Sequence, residues 1–182
     1  MAFKIDDIRS HLKLGGARPT LFQIELTSPF DSDLNNVAPF MTQASSIPSS
    51  SIPAIEVPYF GRKIKVAGDR TFDNWSINVI NDEDFKVRHA MERWHNNINS
   101  LSGNLNTTGT SAPNNYKSAA KVKQYAKSGG APIREYKFYG LFPTEVSSIE
   151  LSWADTDRIQ EFTVTFAYDW YEIINGNTGN VI

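Results

Sequence analysis

Apolar and polar side chains alternate over several stretches of the chain, and this pattern predicts β-strands with one buried face. The alternation is most regular over 159–171, where Phe162, Val164 and Phe166 fall on one face and Thr163 and Thr165 fall on the other. The same criterion predicts strands at 18–26, 55–67, 70–80, 118–126, 133–140 and 146–153. Many short strands of this kind are typical of an antiparallel β-sandwich or barrel.

The stretch GRKIKVAGDRTFDNWSINVI, residues 61–80, predicts a hairpin. Gly68 and Asp69 separate its strands, 55–67 and 70–80, and both residue types favour turns. Basic residues are interleaved with apolar ones in the first strand, so one face is expected in the core and the other at an interface. The basic residues are Arg62, Lys63 and Lys65.

Helical spacing occurs twice. After residue 82, apolar residues recur at intervals of three and four and predict one helix, whose stripe is Val87, Met91, Trp94 and Ile98. The same spacing near the start predicts a short N-terminal helix, with Ile5, Ile8 and Leu12 on one face. The predicted fold is therefore mainly β, a sandwich or barrel of antiparallel strands with one flanking helix and a short N-terminal helix.

Two stretches lack periodicity and predict long loops, 27–54 and 99–115. The first is rich in Ser, Pro and Asn and leaves room for a short edge strand near 40–44. Length favours a single domain, which we place at 1–172. Residues 173–182 are expected to form a flexible C-terminal tail.

Composition narrows the possible functions of this 182-residue chain. A formal net charge of −2 argues against a dedicated nucleic-acid binder, because neutralising phosphates requires a basic surplus. The chain has no cysteine, which excludes disulfides and thiolate metal sites. The first residues have no apolar segment typical of a secretory signal, and no long apolar run predicts a membrane span. We therefore expect no membrane partner.

Residues that could carry chemistry do not form a recognisable motif. His89 and His95 lie six positions apart, whereas a helical zinc-binding pair requires a spacing of four. Asp155 and Asp157 lack the central glycine and closing glutamate of a calcium loop. We therefore expect no catalytic, cofactor-binding or metal-binding residues.

Charge is segregated along the second half of the chain. Six basic residues and one acid occur over 117–137, whereas seven acids and one base occur over 145–172. Opposite poles of this kind suit head-to-tail contacts between copies, which close into rings or continue as filaments. Complementary charge would set the register of such contacts.

Four segments resemble the tail tube proteins of contractile-tailed bacteriophages, in the same order over about 18–172. They are ARPTLFQIEL, GRKIKVAGDRTFDNWSINVINDED, KSAAKVKQYAK, and GLFPTEVSSIELSW followed by IQEFTVTFAYDWYE. The resemblance implies a non-enzymatic structural protein that forms six-fold rings, stacked into a hollow tube inside a contractile sheath. It also implies that edge strands of neighbouring subunits join into an inner barrel, through which phage DNA passes without specific binding.

The resemblance also implies partners and a location. The partners are other copies of the chain, the tail sheath protein, the baseplate hub or tube initiator, and the tape-measure protein. The location is the virion, after assembly in the host bacterial cytoplasm.

Two sets of residues receive roles on this basis. A subunit interface is expected at the hairpin, formed by Arg62, Lys63, Lys65, Gly68, Asp69 and Arg70. Within it, Asp69 and Arg70 are expected to form ion pairs with, or near, an adjacent subunit. An acidic channel lining would not retain DNA, because like charges repel the phosphates. That lining is expected from the acidic segment 145–172, through Glu145, Glu150 and Glu161.

Three alternatives stay open at this point. A tube of a related contractile injection or secretion system would share the fold. A monomeric β-sandwich binding module, for a carbohydrate for instance, would expose aromatic residues in a groove. A hydrolase would require a concave pocket with a perturbed acid or base.

Overall fold

The computed structural model describes residues 8, 11–12, 16–106, 109 and 111–176. In that part of the chain, nine strands and three helices follow one another. The strands are β1 (Phe22–Leu26), β2 (Thr42–Ser45), β3 (Ala54–Tyr59), β4 (Arg62–Ala67), β5 (Trp75–Ile80), β6 (Ser118–Gln124), β7 (Arg134–Val146), β8 (Glu161–Ala167) and β9 (Trp170–Gly176). The helices are α1 (Leu34–Met41), α2 (Lys86–Ile98) and α3 (Pro113–Tyr116).

Two antiparallel sheets share the long strand β7. Sheet A has the order β1-β6-β7-β9 and uses the first half of β7. Sheet B has the order β7-β8-β5-β2 and uses the second half. All of these pairings are antiparallel, so the mainly β, antiparallel fold predicted from the alternation is confirmed.

Both sheets bend where β7 passes from one to the other. Gly140 has φ +66°, a left-handed conformation that favours glycine. The partner strand breaks at the same level, between β8 and β9, where the Asp169 amide donates to the Tyr139 carbonyl at 3.0 Å. Lys117 Nζ lies 2.8 Å from the Asp169 carboxylate and closes this corner. Because of this bend, β7 belongs to both sheets, pairing with β9 in sheet A and with β8 in sheet B.

The core lies between the two sheets and is aromatic at its centre. The Trp75 ring stacks on Phe138 with centroids 4.5 Å apart and lies 5.6 Å from Phe166. All three side chains are almost completely buried. The indole N–H of Trp75 donates to the Ser46 carbonyl at 2.9 Å, so burial of the ring leaves no unpaired donor.

Helix α2 packs its apolar stripe against the core, as its spacing predicts. Met91 and Trp94 are completely buried, and the Trp94 indole N–H donates to the Tyr116 carbonyl at 2.8 Å. His95 Nε2 lies 3.1 Å from the Pro143 carbonyl, on the edge of β7 that does not pair with β8. Helix α2 therefore covers this edge of sheet B. No helix in the described part of the chain is long and apolar enough to cross a membrane.

Several predicted boundaries differ from the structure. The 27–54 stretch contains α1 and β2, although Pro39 lies inside α1. The predicted strand 146–153 is wrong, because β7 ends at Val146 and no strand follows until β8. The predicted strand 159–171 divides into β8 and β9, and β9 continues to Gly176, into the predicted tail. Most of the predicted N-terminal helix lies outside the described residues.

The predicted hairpin is also wrong in its pairing. Its turn lies at Phe60 and Gly61, between β3 and β4, and not at Gly68 and Asp69. The second predicted strand corresponds to β5, which pairs with β2 and β8 in sheet B. The physical reason is that β5 alternates buried and exposed residues, whereas both faces of β3 and β4 are exposed.

Candidate assembly surfaces

The β3–β4 hairpin, Ala54–Ala67, forms a two-stranded ribbon that joins neither sheet. Every residue of its two strands is exposed. The ribbon is attached at its base, where Ser51 and Thr71 pair through their backbones and Ser49 Oγ donates to Asp73 at 3.0 Å. An isolated two-stranded ribbon is marginally stable in water, so this element gains stability when a further surface covers it.

The two faces of the ribbon differ in chemistry. On one face, Ile55 lies opposite Val66 and Val57 lies opposite Ile64, and Tyr59 extends the row. Each of these side chains is about half exposed or more. An apolar row of this size is unusual on a free surface and is typical of a protein contact.

The opposite face of the ribbon is charged. Lys63 Nζ lies 2.5 Å from a Glu56 carboxylate oxygen, and Lys65 is the strand partner of Glu56. Arg62, the strand partner of Tyr59, lies instead on the apolar face, and the ribbon as a whole carries three cations against one anion. The ribbon therefore presents an apolar face with a basic surplus beside it.

Phe60 occupies the tip in a strained conformation. Its φ is +42° and that of Gly61 is +78°, so both central residues of the turn have positive φ, as in a type I′ turn. A bulky side chain in this region is an outlier, since Asn, Asp and Gly usually occupy it. Phe60 is 92% exposed, and its ring meets the Tyr59 ring at a right angle with centroids 4.8 Å apart. A strained, exposed aromatic tip is a feature to explain by a contact.

Three of the six residues predicted at a subunit interface lie on the ribbon, and the other three follow it directly. Arg62, Lys63 and Lys65 belong to β4. Gly68 lies at the base, where its amide donates to the Pro53 carbonyl at 2.8 Å. Asp69 and Arg70 follow it and are exposed, and whether they form ion pairs with another copy stays a prediction.

Residues 147–160, between β7 and β8, form a second exposed apolar surface, which we call the acidic loop. Leu151, Trp153 and Ile159 project from it, and the Trp153 side chain is fully exposed. Its charged residues are Glu150, Asp155, Asp157 and Arg158. The loop therefore combines apolar side chains with an acidic surplus.

Both ends of the acidic loop are fixed to sheet B. The Ser147 amide donates to the Thr163 carbonyl at 2.9 Å, and the Asn81 amide donates to the Gln160 carbonyl at 2.9 Å. These bonds place the loop at the end of sheet B where β5 finishes and β8 begins.

The outer face of sheet B contains two of the three predicted channel-lining acids. Glu145 lies opposite Thr165, and Glu161 lies opposite Ile80. Positions 161 and 165 are about 13 Å apart along a strand. The rest of this face carries small polar side chains; Thr163 Oγ1, for example, donates to Asn78 at 2.8 Å. Glu150 is separate from both, in the acidic loop.

The outer face of sheet A carries both signs of charge in a paired arrangement. Lys123 Nζ lies 2.5 Å from Glu25, and Lys121 Nζ lies 3.3 Å from Glu135. On β9, Glu172 accepts a hydrogen bond of 2.8 Å from the Tyr139 hydroxyl. Its strand partner is a further cation, Lys137. This face therefore has no basic surplus.

The strand edges of sheet A are open. Within the described residues, β1 pairs with β6 alone and β9 pairs with β7 alone. Unpaired edges template pairing with another chain. In sheet B, by contrast, helix α2 covers the free edge of β7 through His95 and Pro143.

Burial shifts the pKa of two side chains in the described part of the chain. Burial raises the pKa of Tyr168 to about 12, and burial lowers the pKa of His95. Among the described residues, no group of three or more His, Cys, Asp or Glu side chains is placed to hold a metal ion.

The apolar face of the ribbon and the exposed Trp153 were not identified from sequence. In both places, the alternation of apolar residues predicts a strand with one face in the core. The available signal was the charge around them, since Lys and Arg surround the first set and Glu and Asp surround the second.

The chain was compared with known protein families and structures. The profile of a family described as "Phage tail tube protein" matches residues 12–174. The tail tube protein gp19 of Enterobacteria phage T4 is 38% identical over 169 residues, which cover 92% of this chain and 99% of that protein.

Solved structures with a similar fold come from contractile injection systems. One is the sheath/tube terminator of the extracellular contractile injection system PVC, with TM-score 0.64 and 14% identity, covering 88% of this chain and 97% of that one. Another is a chain of the anti-feeding prophage baseplate, six-fold symmetrised, with TM-score 0.60 and 10% identity, covering 87% and 95%. At these identities the similarity concerns the fold.

Proposed function

The chain belongs to the phage tail tube protein family, and from that membership we propose that it polymerises as stacked hexameric rings into the inner tube of a contractile tail. The relatives are structural tail proteins, which agrees with a chain that has no catalytic motif. Tail tube proteins are components of the virion. The proposed tube is the conduit through which DNA leaves the particle.

The observation that carries this proposal is the free-standing ribbon. Its apolar face is exposed over two strands, and its tip holds a strained phenylalanine. A monomeric protein gains nothing from such an element, whereas a polymer buries it at every repeat.

Ring closure is supported by the edges of sheet A. Adjacent strands alternate in direction from β1 to β9, so β1 and β9 run in opposite directions. A rotation about an axis along the strands therefore places β9 of one copy beside β1 of the next in an antiparallel pair. Repeating this operation closes the sheet and removes both free edges.

The diameter of the proposed barrel follows from the number of its strands and their spacing. Six copies of the four strands of sheet A, spaced about 4.8 Å apart, give a barrel about 35–50 Å across, depending on strand tilt. The core and sheet B of each copy occupy the outer side, because six such bodies do not fit within that width. The outer face of sheet A then faces the channel.

In this arrangement, the proposed channel wall carries cations that are paired with anions. The cations of sheet A are balanced by Glu25, Glu135 and Glu172, so the wall offers DNA no basic surplus to bind. The lining predicted from sequence, Glu145, Glu150 and Glu161, requires sheet B and the acidic loop to face the channel instead. The two linings are alternatives that one experiment distinguishes.

Cysteine labelling makes that distinction, because the chain has no cysteine of its own. We expect Glu172→Cys in assembled tubes to resist a bulky maleimide that modifies it in the free subunit. Glu145→Cys is the matched control on sheet B and should react in both states. The reverse pattern would support the lining predicted from sequence and overturn closure through sheet A.

The remaining partners follow from the same proposal. Fold relatives occur in a sheath/tube terminator and in a six-fold baseplate, which supports a six-fold tube with a sheath protein outside it. A baseplate hub that initiates the tube, a tape-measure protein within it and assembly in the host cytoplasm complete the proposal. Negative-stain microscopy of the concentrated protein tests its central part, since a chain that stays monomeric at every concentration would support a binding module instead.

A further inference from the structure

The ribbon and the acidic loop lie at opposite ends of sheet B. The ribbon precedes β5, whose first residue, Trp75, pairs with Phe166. The acidic loop precedes β8, and its end is fixed where Ile80 pairs with Glu161. The six residues of β5 separate the two ends by about 20 Å. One copy therefore does not cover its own ribbon with its own loop.

The two surfaces are complementary in both apolar character and charge. The ribbon offers a row of exposed aliphatic side chains and an aromatic tip, with three cations against one anion. The acidic loop offers Leu151, Trp153 and Ile159, with three anions against one cation. Apolar anchors surrounded by opposite charges are the usual composition of a specific contact.

We infer that the ribbon of one copy docks on the acidic loop of a second copy, with Trp153 packed against the apolar face of the ribbon. This inference rests on the proposed polymerisation and names the surface that receives the ribbon. The contact joins different patches on the two copies, so each copy keeps a free ribbon at one end and a free loop at the other. Such a contact is heterologous and repeats along the assembly.

Trp153 is the expected anchor of the contact. Tryptophan is enriched among residues that dominate binding energy, and a fully exposed one gains the most from being covered. Arg62, on the apolar face beside Tyr59, then reaches Asp155 or Asp157, and the surrounding positive charge of the ribbon helps to set the register.

Disulfide trapping tests the contact directly. A double variant, Val57→Cys with Leu151→Cys, places one thiol on each surface of a chain that has no other. Oxidation of the assembled protein should give a ladder of covalent multimers. The matched control, Val57→Cys with Ser76→Cys, moves the second thiol to the outer face of sheet B and should give none. A ladder that stops at the ring size indicates a contact within a ring, and a longer one indicates a contact between rings; both support the inference.

A charge exchange supplies an independent test. Arg62→Glu with Lys65→Glu should raise the critical concentration for assembly at least tenfold, as should Asp155→Lys with Asp157→Lys. Combining all four should restore assembly, because the exchanged charges attract again. The control is Lys127→Glu, an exposed charge change outside both surfaces.

The outcomes separate the inference from the proposed function. Tubes that form without the 57–151 cross-link, and with no rescue in the fourfold variant, overturn the ribbon–loop contact while leaving the polymer intact. A wild-type chain that never forms rings or tubes overturns the proposed function itself. Normal assembly of Trp153→Ala would also overturn the inference, and that exposed substitution leaves the core unchanged.

Discussion

Phe60 at the ribbon tip is expected to lower the stability of the free subunit and to strengthen the contact in the polymer, and its substitution separates the two effects. Phe60 has φ +42° and is 92% exposed, so it is strained in the free subunit and buries almost nothing there. Asn accepts this backbone conformation far more readily, and Asn-Gly is a preferred pair for a two-residue hairpin turn. Phe60→Asn should therefore leave the melting temperature of the free subunit unchanged or slightly higher.

The same change should impair polymerisation. Covering a Phe side chain in a contact contributes about 1.5–3 kcal/mol. Loss of that contribution raises the critical concentration by about 10- to 150-fold, since each 1.4 kcal/mol is tenfold. Phe60→Tyr keeps both the strain and the ring, and should assemble nearly as the wild type does.

The measurement is the protein that stays in the supernatant after centrifugation of tubes, over a range of total concentrations. Thermal unfolding of the unassembled subunit is recorded in parallel. An unchanged critical concentration for Phe60→Asn would refute the role of the tip. A melting temperature several degrees below that of the wild type would refute the assignment of strain.

Two further predictions concern the stability of the subunit itself. Gly140→Ala should lower the melting temperature by about 5–15 °C in calorimetry, because the φ of +66° strains alanine and the new methyl group meets Asp169. Gly129→Ala, with φ +75° but open space around it, is the control and should cost about 1 kcal/mol. Burial, only partly offset by the Pro143 carbonyl, lowers the pKa of His95 from 6.5, so the folded state resists protonation and stability falls as the pH drops below 6.5. His95→Gln should therefore lose less stability than the wild type between about pH 7.5 and 5.5, and an equal loss in denaturant titrations would contradict this assignment.

The elements best predicted from sequence are those with one face in the core. Strand β8 alternates because Phe162, Val164 and Phe166 pack inward, and α2 shows its stripe because Met91 and Trp94 do the same. In both, burial on one side alone imposes the period on the sequence. Their positions follow from local pattern without knowledge of the neighbours.

The strand pairing of the ribbon is predicted wrongly, because the alternation in its sequence does not reflect burial in the core. Alternation in β3 and β4 has the period of a strand, but the apolar face is left exposed by the part of the chain that the structure describes. Gly68 and Asp69 predict the turn because both residue types favour turns, whereas the phenylalanine at the actual turn gives no such signal. A turn formed by Phe60 and Gly61 lacks the Asn-Gly or Asp-Gly pair from which two-residue hairpin turns are usually predicted.

Two other predictions from the sequence, the strand at 146–153 and the loop at 27–54, also differ from the structure. The alternation of Ile149, Leu151 and Trp153 predicts a strand, yet these residues lie in a loop, where Ile149 packs against the core and the other two side chains are exposed. Helix α1 lies in the stretch 27–54, whose content of Ser, Pro and Asn predicts a loop. Exposed apolar surfaces can carry the same sequence pattern as a core, so a single sequence does not distinguish the two.

The order of sheet A along the chain has a consequence for synthesis. Its two open edges belong to Phe22–Leu26 and Trp170–Gly176, so a ribosome completes the first edge early and the second more than a hundred residues later. With closure through these edges as proposed, a polypeptide interrupted before β9 has no second edge to offer and is not incorporated. Translation itself then keeps incomplete subunits out of the virion.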